Sequence, residues 1–196
     1  MKKLLIILPL ALLALLAAFL LLDFRLLKGQ TSQISAVAAS QSDDFRASRD
    51  LSPAVTGLYV EGNGDEAHLL AAYVKSLLQN QPAIGRVTDI NTPSDQMDIP
   101  VVYIELVPVK YIWTPVYATA EYQLIISYAS NGDISFRKNP VTHFHSSGDQ
   151  PYLQFKATTT LKDTSFGIIS LPGYRHYLAD KLLEQVDQSL QSQFNG

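Results

Sequence analysis

The sequence predicts an α+β domain: a mostly antiparallel sheet of about five to six strands with two helices packed on one face, preceded by an N-terminal transmembrane helix. Three observations predict it. The chain opens with a long uncharged run; apolar residues alternate on one parity through Val102, Ile104 and Leu106 and again from Val116 to Ile126; and two segments carry apolar residues at spacings of three and four. Each helical stripe needs a partner, and one face of a half-buried sheet supplies it.

Residues Leu4–Leu22 are 19 consecutive uncharged residues, Leu, Ile, Ala and Phe with a single Pro9. At 1.5 Å per residue such a helix nearly crosses a hydrocarbon core of about 30 Å. A cleaved signal has a shorter apolar region with small residues close behind it, whereas Leu20, Leu21, Leu22, Asp23 and Phe24 close this one. Ala36-Val37-Ala38 is the downstream match to a cleavage site and defines the alternative, a domain secreted after cleavage. Lys2 and Lys3 stand against Arg25 and Lys28 across the run, and the N-terminal amine tips the balance toward an inside N-terminus. Residues 1–28 thus read as a single-pass signal anchor with the C-terminal domain extracytoplasmic. Residues 29–55, rich in Gln, Ser, Ala and Asp, read as a flexible stalk, and residues 56–196 as the folded domain.

Within that domain Thr56–Gly62 is β-prone and closes on Gly-Asn-Gly. Asp65 caps a helix whose stripe is Leu70, Val74, Leu77 and Leu78 beside Ala67 and Ala71. Gly85–Asn91 is a second strand. The strongest β signal comes next, with Val102, Ile104 and Leu106 on one core face and Val116, Ala118, Ala120, Tyr122, Leu124 and Ile126 on another. Pro108 and Pro115 mark the material between them as an edge, a bulge or a crossing loop. The Asn131-Gly132 pair predicts a tight hairpin returning through Ile134–Phe136, and Tyr152–Leu161 supplies a last strand. Leu178, Leu182, Leu183, Val186, Leu190 and Phe194 form the second amphipathic helix. This element order is similar to that of small periplasmic accessory domains, such as the lipopolysaccharide-assembly lipoprotein fold and the N-terminal domain of TolB-like proteins. No motif carries the likeness and their lipid-modified cysteine is missing here, so it implies neither a function nor site residues.

Composition narrows the function classes. The chain has no cysteine, which removes disulfide scaffolds, thiolate metal sites and a cysteine nucleophile. From Gly29 onward eleven basic side chains face seventeen acidic ones, a net charge of -6 that repels phosphate backbones and argues against nucleic-acid binding. No Gly-x-Ser-x-Gly elbow and no phosphate-cradling glycine loop occurs, so neither a catalytic constellation nor a cofactor is expected. Two features remain. His143 and His145 share one side of an extended segment and, with Asp149 across a Ser-Ser-Gly turn, are the candidate ligands of a metal-dependent hydrolase or metal-binding domain. Tyr103, Tyr111, Trp113 and Tyr117, on the parity opposite the core, would line the face that the helices leave open if that parity holds through Pro108 and Pro115. Such rings suit recognition of an envelope protein, a glycan or a lipid. The expected role is a membrane-anchored, extracytoplasmic, non-catalytic binding or accessory module of the cell envelope.

Overall fold

The computed structural model describes residues 2–41, 55–62, 65–80, 84–138 and 153–194, with side chains described throughout except at 2–6, 27–41 and 193–194. The elements run α1 (Lys2–Leu21), β1 (Arg25–Gln41), β2 (Val55–Glu61), α2 (Asp65–Gln79), β3 (Arg86–Asp89), β4 (Val101–Trp113), β5 (Tyr117–Ala129), a 3-10 turn at Ser135–Lys138, β6 (Leu153–Ile169) and α3 (Leu171–Phe194). The fold is α+β, as the periodicities predict. Among the described residues no helix is long and apolar enough to cross a membrane.

One sheet holds the six strands in the order β1-β6-β5-β4-β2-β3. The pairs β1/β6, β6/β5 and β5/β4 are antiparallel, whereas β2 pairs in parallel with both β4 and β3. The sheet is therefore mixed rather than mostly antiparallel. The cause is local: β2 and β3 are joined through α2, and a crossover helix returns the chain to the start of the sheet, where only a parallel strand fits.

Residues 29–41, expected in the stalk, lie in β1 instead and pair with β6 along its whole length, from Arg25 opposite Ile169 to Gln41 opposite Leu153. The rest of the expected stalk, 42–54, falls outside the described residues. Ile134–Phe136 is no returning strand: Ser135 and Phe136 belong to the 3-10 turn, and an isolated bridge joins Asp133 to Gln96. β6 takes the place beside β5.

Both amphipathic helices cover the same face. Leu70, Val74 and Leu78 of α2 and Leu178, Leu182, Val186 and Leu190 of α3 join Val102, Ile104, Leu106, Ala118, Ala120, Tyr122, Leu124 and Ile126 in one buried core. Val116, expected on that face, is 64% exposed in the turn between β4 and β5. Among the described residues the opposite face carries a smaller core at one end, where Val101, Tyr103, Ala129, Ile134 and Phe136 pack with Tyr59, Ile90 and Met97. Asp95 holds this cover down, with Arg137 Nη1 at 2.6 Å and Lys138 Nζ at 3.1 Å. The hydrogen bond from Lys138 and the charge of Arg137 hold the Asp95 carboxyl below the usual carboxylate range.

Gly132 is the pivot of this cover. Its φ is 74°, and a Cβ there would stand 2.1 Å from the Met97 carbonyl oxygen. The Met97 amide donates to the Gly132 carbonyl at 3.0 Å. Gly132→Ala is expected to destabilise the fold by at least about 1–3 kcal/mol, read as a lower urea midpoint with an unchanged slope; an unchanged midpoint would remove this role.

Candidate functional site

The end of the sheet where β1 begins and β6 ends gathers the polar chemistry. Asp23 and Phe24, between α1 and β1, lie against the N-terminus of α3. The Ser170 hydroxyl donates to the Phe24 carbonyl at 2.8 Å and accepts from the Phe24 amide at 2.9 Å and the Gly173 amide at 3.1 Å. One donor and two acceptors exhaust what a hydroxyl offers. The last two bonds make Ser170 both the cap of α3 and the clamp on the incoming chain. The Ser170 amide closes the joint by donating to the Phe24 carbonyl at 3.0 Å. Gly173 permits this approach, since a Cβ there would come within 2.6 Å of the Phe24 carbonyl oxygen. Phe24 also meets Phe19 of α1 edge-on, with ring centroids 5.2 Å apart.

Around the joint, His176 Nδ1 pairs with the Asp23 carboxylate and Arg175 Nη1 with Asp65 at the start of α2. Arg175 Nε lies 3.2 Å from Glu66 Oε1, an ion-pair contact without the alignment of a hydrogen bond. Asp65, His68, Leu69, Pro172, Arg175 and His176 line a shallow open cleft between the two helix starts.

Asp163, 1% exposed, lies on the helix-covered face of β6. Its Oδ2 accepts from the Tyr174 hydroxyl and the Ser165 hydroxyl, each at 2.8 Å, and its Oδ1 from the Tyr177 hydroxyl at 3.2 Å. A buried carboxylate survives only with such donors. Burial first, and the Asp163 charge second, push the Tyr174 hydroxyl far above its ordinary value. Arg25 covers the cluster from outside, its guanidinium carbon 3.3 Å from the centre of the Tyr177 ring. These hydrogen bonds fix the side chains they join. Among the described residues no group of three or more His, Asp or Glu side chains is placed to hold a metal ion.

The four aromatic candidates do not share a face. The register slips between Pro108 and Lys110, so one extra residue enters β4 and the parity reverses. Beyond the bulge Tyr111 stands opposite Ala120 and Trp113 opposite Ala118, on the helix-covered face, where both pack against the main core. The expected aromatic surface is therefore corrected. Tyr103, 4% exposed, belongs to the small core of the other face, stacked on Tyr59 and donating to the Glu61 carboxylate. Of the four, Tyr117 alone is on the open face clear of that small core, beside Phe166 with centroids 5.2 Å apart. His143, His145 and Asp149 fall outside the described residues. Asp163 was missed although alternation through Phe155, Ala157, Thr159 and Leu161 carries the core parity onto it.

Neither a known protein-family model nor a curated protein sequence matches the chain. What the fold defines is thus a class, an α+β domain with a six-stranded mixed sheet, joined to an apolar N-terminal helix through a hydrogen-bonded clamp.

Among the described residues the Tyr111 hydroxyl and the Trp113 indole nitrogen are buried without a hydrogen-bond partner. Burial and the nearby Glu66 charge push the Tyr111 hydroxyl up to about 12, while Arg175, close but poorly aligned, pulls it back. A tyrosine whose folded value lies above its unfolded 10.0 adds stability that is complete below pH 10 and is lost as pH rises through 12. Stability to urea is expected to fall between about pH 10 and 12. Tyr111→Phe, which removes an unpaired hydroxyl, is expected to fold at neutral pH within about 1 kcal/mol of the parent or more stably, and to lose less in alkali. An equal alkaline loss in both proteins would contradict the assignment.

Proposed function

We propose that the protein is a membrane-anchored, extracytoplasmic, non-catalytic domain that serves as a binding or accessory module of the cell envelope. The observation that carries the reading is the joint. A helix that is apolar on every side runs directly into a folded domain through Asp23 and Phe24, held by Ser170. A helix apolar all round has no soluble partner to explain it, and its described leucines are largely exposed, Leu8 and Leu12 at about 70%. The full apolar run in the sequence, Leu4–Leu22, rises roughly 28 Å when helical, enough to cross a bilayer with little tilt. Lys2 and Lys3 stand against Arg25 and Lys28 across the run, and the orientation proposed here is N-terminus inside.

One feature favours an accessory over a catalytic role. The polar groups at the joint, Asp163 with its tyrosines and Arg175 with Asp65 and Glu66, are paired with one another and stabilise packing. The domain's acidic balance further sets it apart from nucleic-acid binders. Membrane extraction and protease accessibility test the reading together. The full chain is expected to remain in the pellet through alkaline carbonate washing, and its domain to be cleaved by protease added outside intact cells or spheroplasts. Release by carbonate, or protection of the domain until the membrane is opened, would overturn it.

A further inference from the structure

The two ends of the open sheet face differ. At the end remote from α1, segments 90–100 and 130–138 cover it with the small core around Tyr103 and Phe136. At the end where α1 emerges, the described residues leave it bare and apolar. Leu26, Val116 and Phe166 are 69%, 64% and 58% exposed, with Ile112 and Ile168 about half exposed. Pairing makes these residues one patch: Leu26 stands opposite Ile168, Tyr117 opposite Phe166, and the Val116 carbonyl accepts from the Gly167 amide at 3.1 Å. An apolar cluster of this kind on an otherwise acidic domain marks a contact surface.

Its position names the occupant. Leu26 lies five residues beyond Leu21, the last residue of α1, a reach of at most roughly 17 Å. The Ser170 clamp shortens that tether by fixing Phe24 against α3. Along the strands the chemistry then changes in order. The apolar row, at whose β1 edge Lys28 pairs with Phe166, gives way to Thr119 and Thr164, and then to Lys110, Glu121 and Lys162, with Lys162 Nζ 3.0 Å from Glu121 Oε1. From Phe166 to Lys162 is four residues, roughly 13 Å of strand. An apolar tip with polar groups one headgroup layer behind it has the profile of a surface resting at a bilayer interface.

We infer that this end of the sheet, centred on Phe166, is a second contact with the membrane. It seats the domain against the phospholipid surface in which α1 is anchored, and the inference rests on that anchoring. The occupant is the interfacial layer of the lipid itself. Phe166, Ile168, Leu26 and Val116 enter the acyl boundary while Lys110 stays at phosphate level, where its ammonium meets a lipid phosphate, and Lys162 keeps its pair with Glu121. The domain then lies against the bilayer instead of swinging above it.

The chain's lack of cysteine allows a direct test. Full-length protein carrying one polarity-sensitive label at Phe166→Cys, at Val116→Cys, or at Lys138→Cys on the covered end is reconstituted into phosphatidylcholine–phosphatidylglycerol vesicles. Labels at 166 and 116 are expected to be quenched by spin-labelled acyl chains and shielded several-fold from aqueous iodide relative to the label at 138. Equal iodide access at all three sites without lipid quenching, in vesicles that float with the protein bound, would overturn the contact while leaving the anchor intact. Protein that fails to float with vesicles would overturn the anchor itself, and the contact with it. Shielding at 166 that grows with protein-to-lipid ratio, without lipid quenching, would assign the patch to a second copy of the chain and overturn the lipid assignment. Circular dichroism of each variant shows that a label has not unfolded the domain, and Val116→Cys, in a turn, serves if Phe166→Cys does.

Discussion

A single hydroxyl fixes how the molecule is put together. Ser170 sits where β6, the antiparallel partner of β1, passes into α3, and its three hydrogen bonds hold the first turn of that helix against Phe24. Because Arg25 is then opposite Ile169, β1 enters the sheet in a defined register, and that register sets every later pair along the two strands. The same bonds bring Asp23 to His176 and leave room for the Arg25 guanidinium over Tyr177. Geometry at this one point decides the direction in which α1 leaves the domain and which end of the sheet lies beside it.

A second constraint acts on the sheet itself. The extra residue between Pro108 and Lys110 reverses the facing of β4 halfway along. Tyr111 and Trp113 turn inward, where they fill the space above the small residues Ala118 and Ala120 and touch the Tyr174 side of the core, with the Tyr111 and Tyr174 ring centroids 5.9 Å apart. Ile112 turns outward and joins Tyr117 and Phe166. Bulk is traded across the sheet: large rings sit over alanines on the covered face, and an aliphatic side chain is left on the open one. The bulge therefore builds both the packing near the joint and the bare apolar end.

Much of this was legible in the sequence, and the failures have physical causes. The stripes of α2 and α3 and the parity of β4 and β5 are long, regular signals, and the residues they name form the main core. β1 has no such signal. From Gly29 on its sequence is mostly small and polar, with Ile34 and Val37 its larger apolar residues, and its register partners include Thr158, Thr159 and Thr160, so little in its composition separates a strand from a linker. The parallel pairs needed the β2-α2-β3 order to be read as a crossover unit, with α2 more than a helix in sequence. Pro108 and Pro115 announced an irregularity, but a proline marks where a strand is disturbed and not how many residues are inserted, and one residue moved two aromatic rings to the other face. The Asn131-Gly132 pair does form a turn, but the path of residues 133–138 is set by docking onto 95–97, a tertiary contact that local propensity does not carry. Asp163 lay in plain sight on core parity, and its three hydroxyl partners came from a strand neighbour and from α3.

The joint is the element on which anchor, domain and apolar end all depend, so its rigidity is the quantity to measure. Electron–electron distance measurement between spin labels at Leu13→Cys in α1 and Glu184→Cys in α3, with the full chain in lipid nanodiscs, reads it directly. A clamped joint gives one narrow distance distribution, as narrow as that of two labels both placed within α3, and Ser170→Ala broadens it. A distribution already broad in the parent chain, unchanged by Ser170→Ala, would mean that α1 and the domain are merely tethered, and would contradict the account.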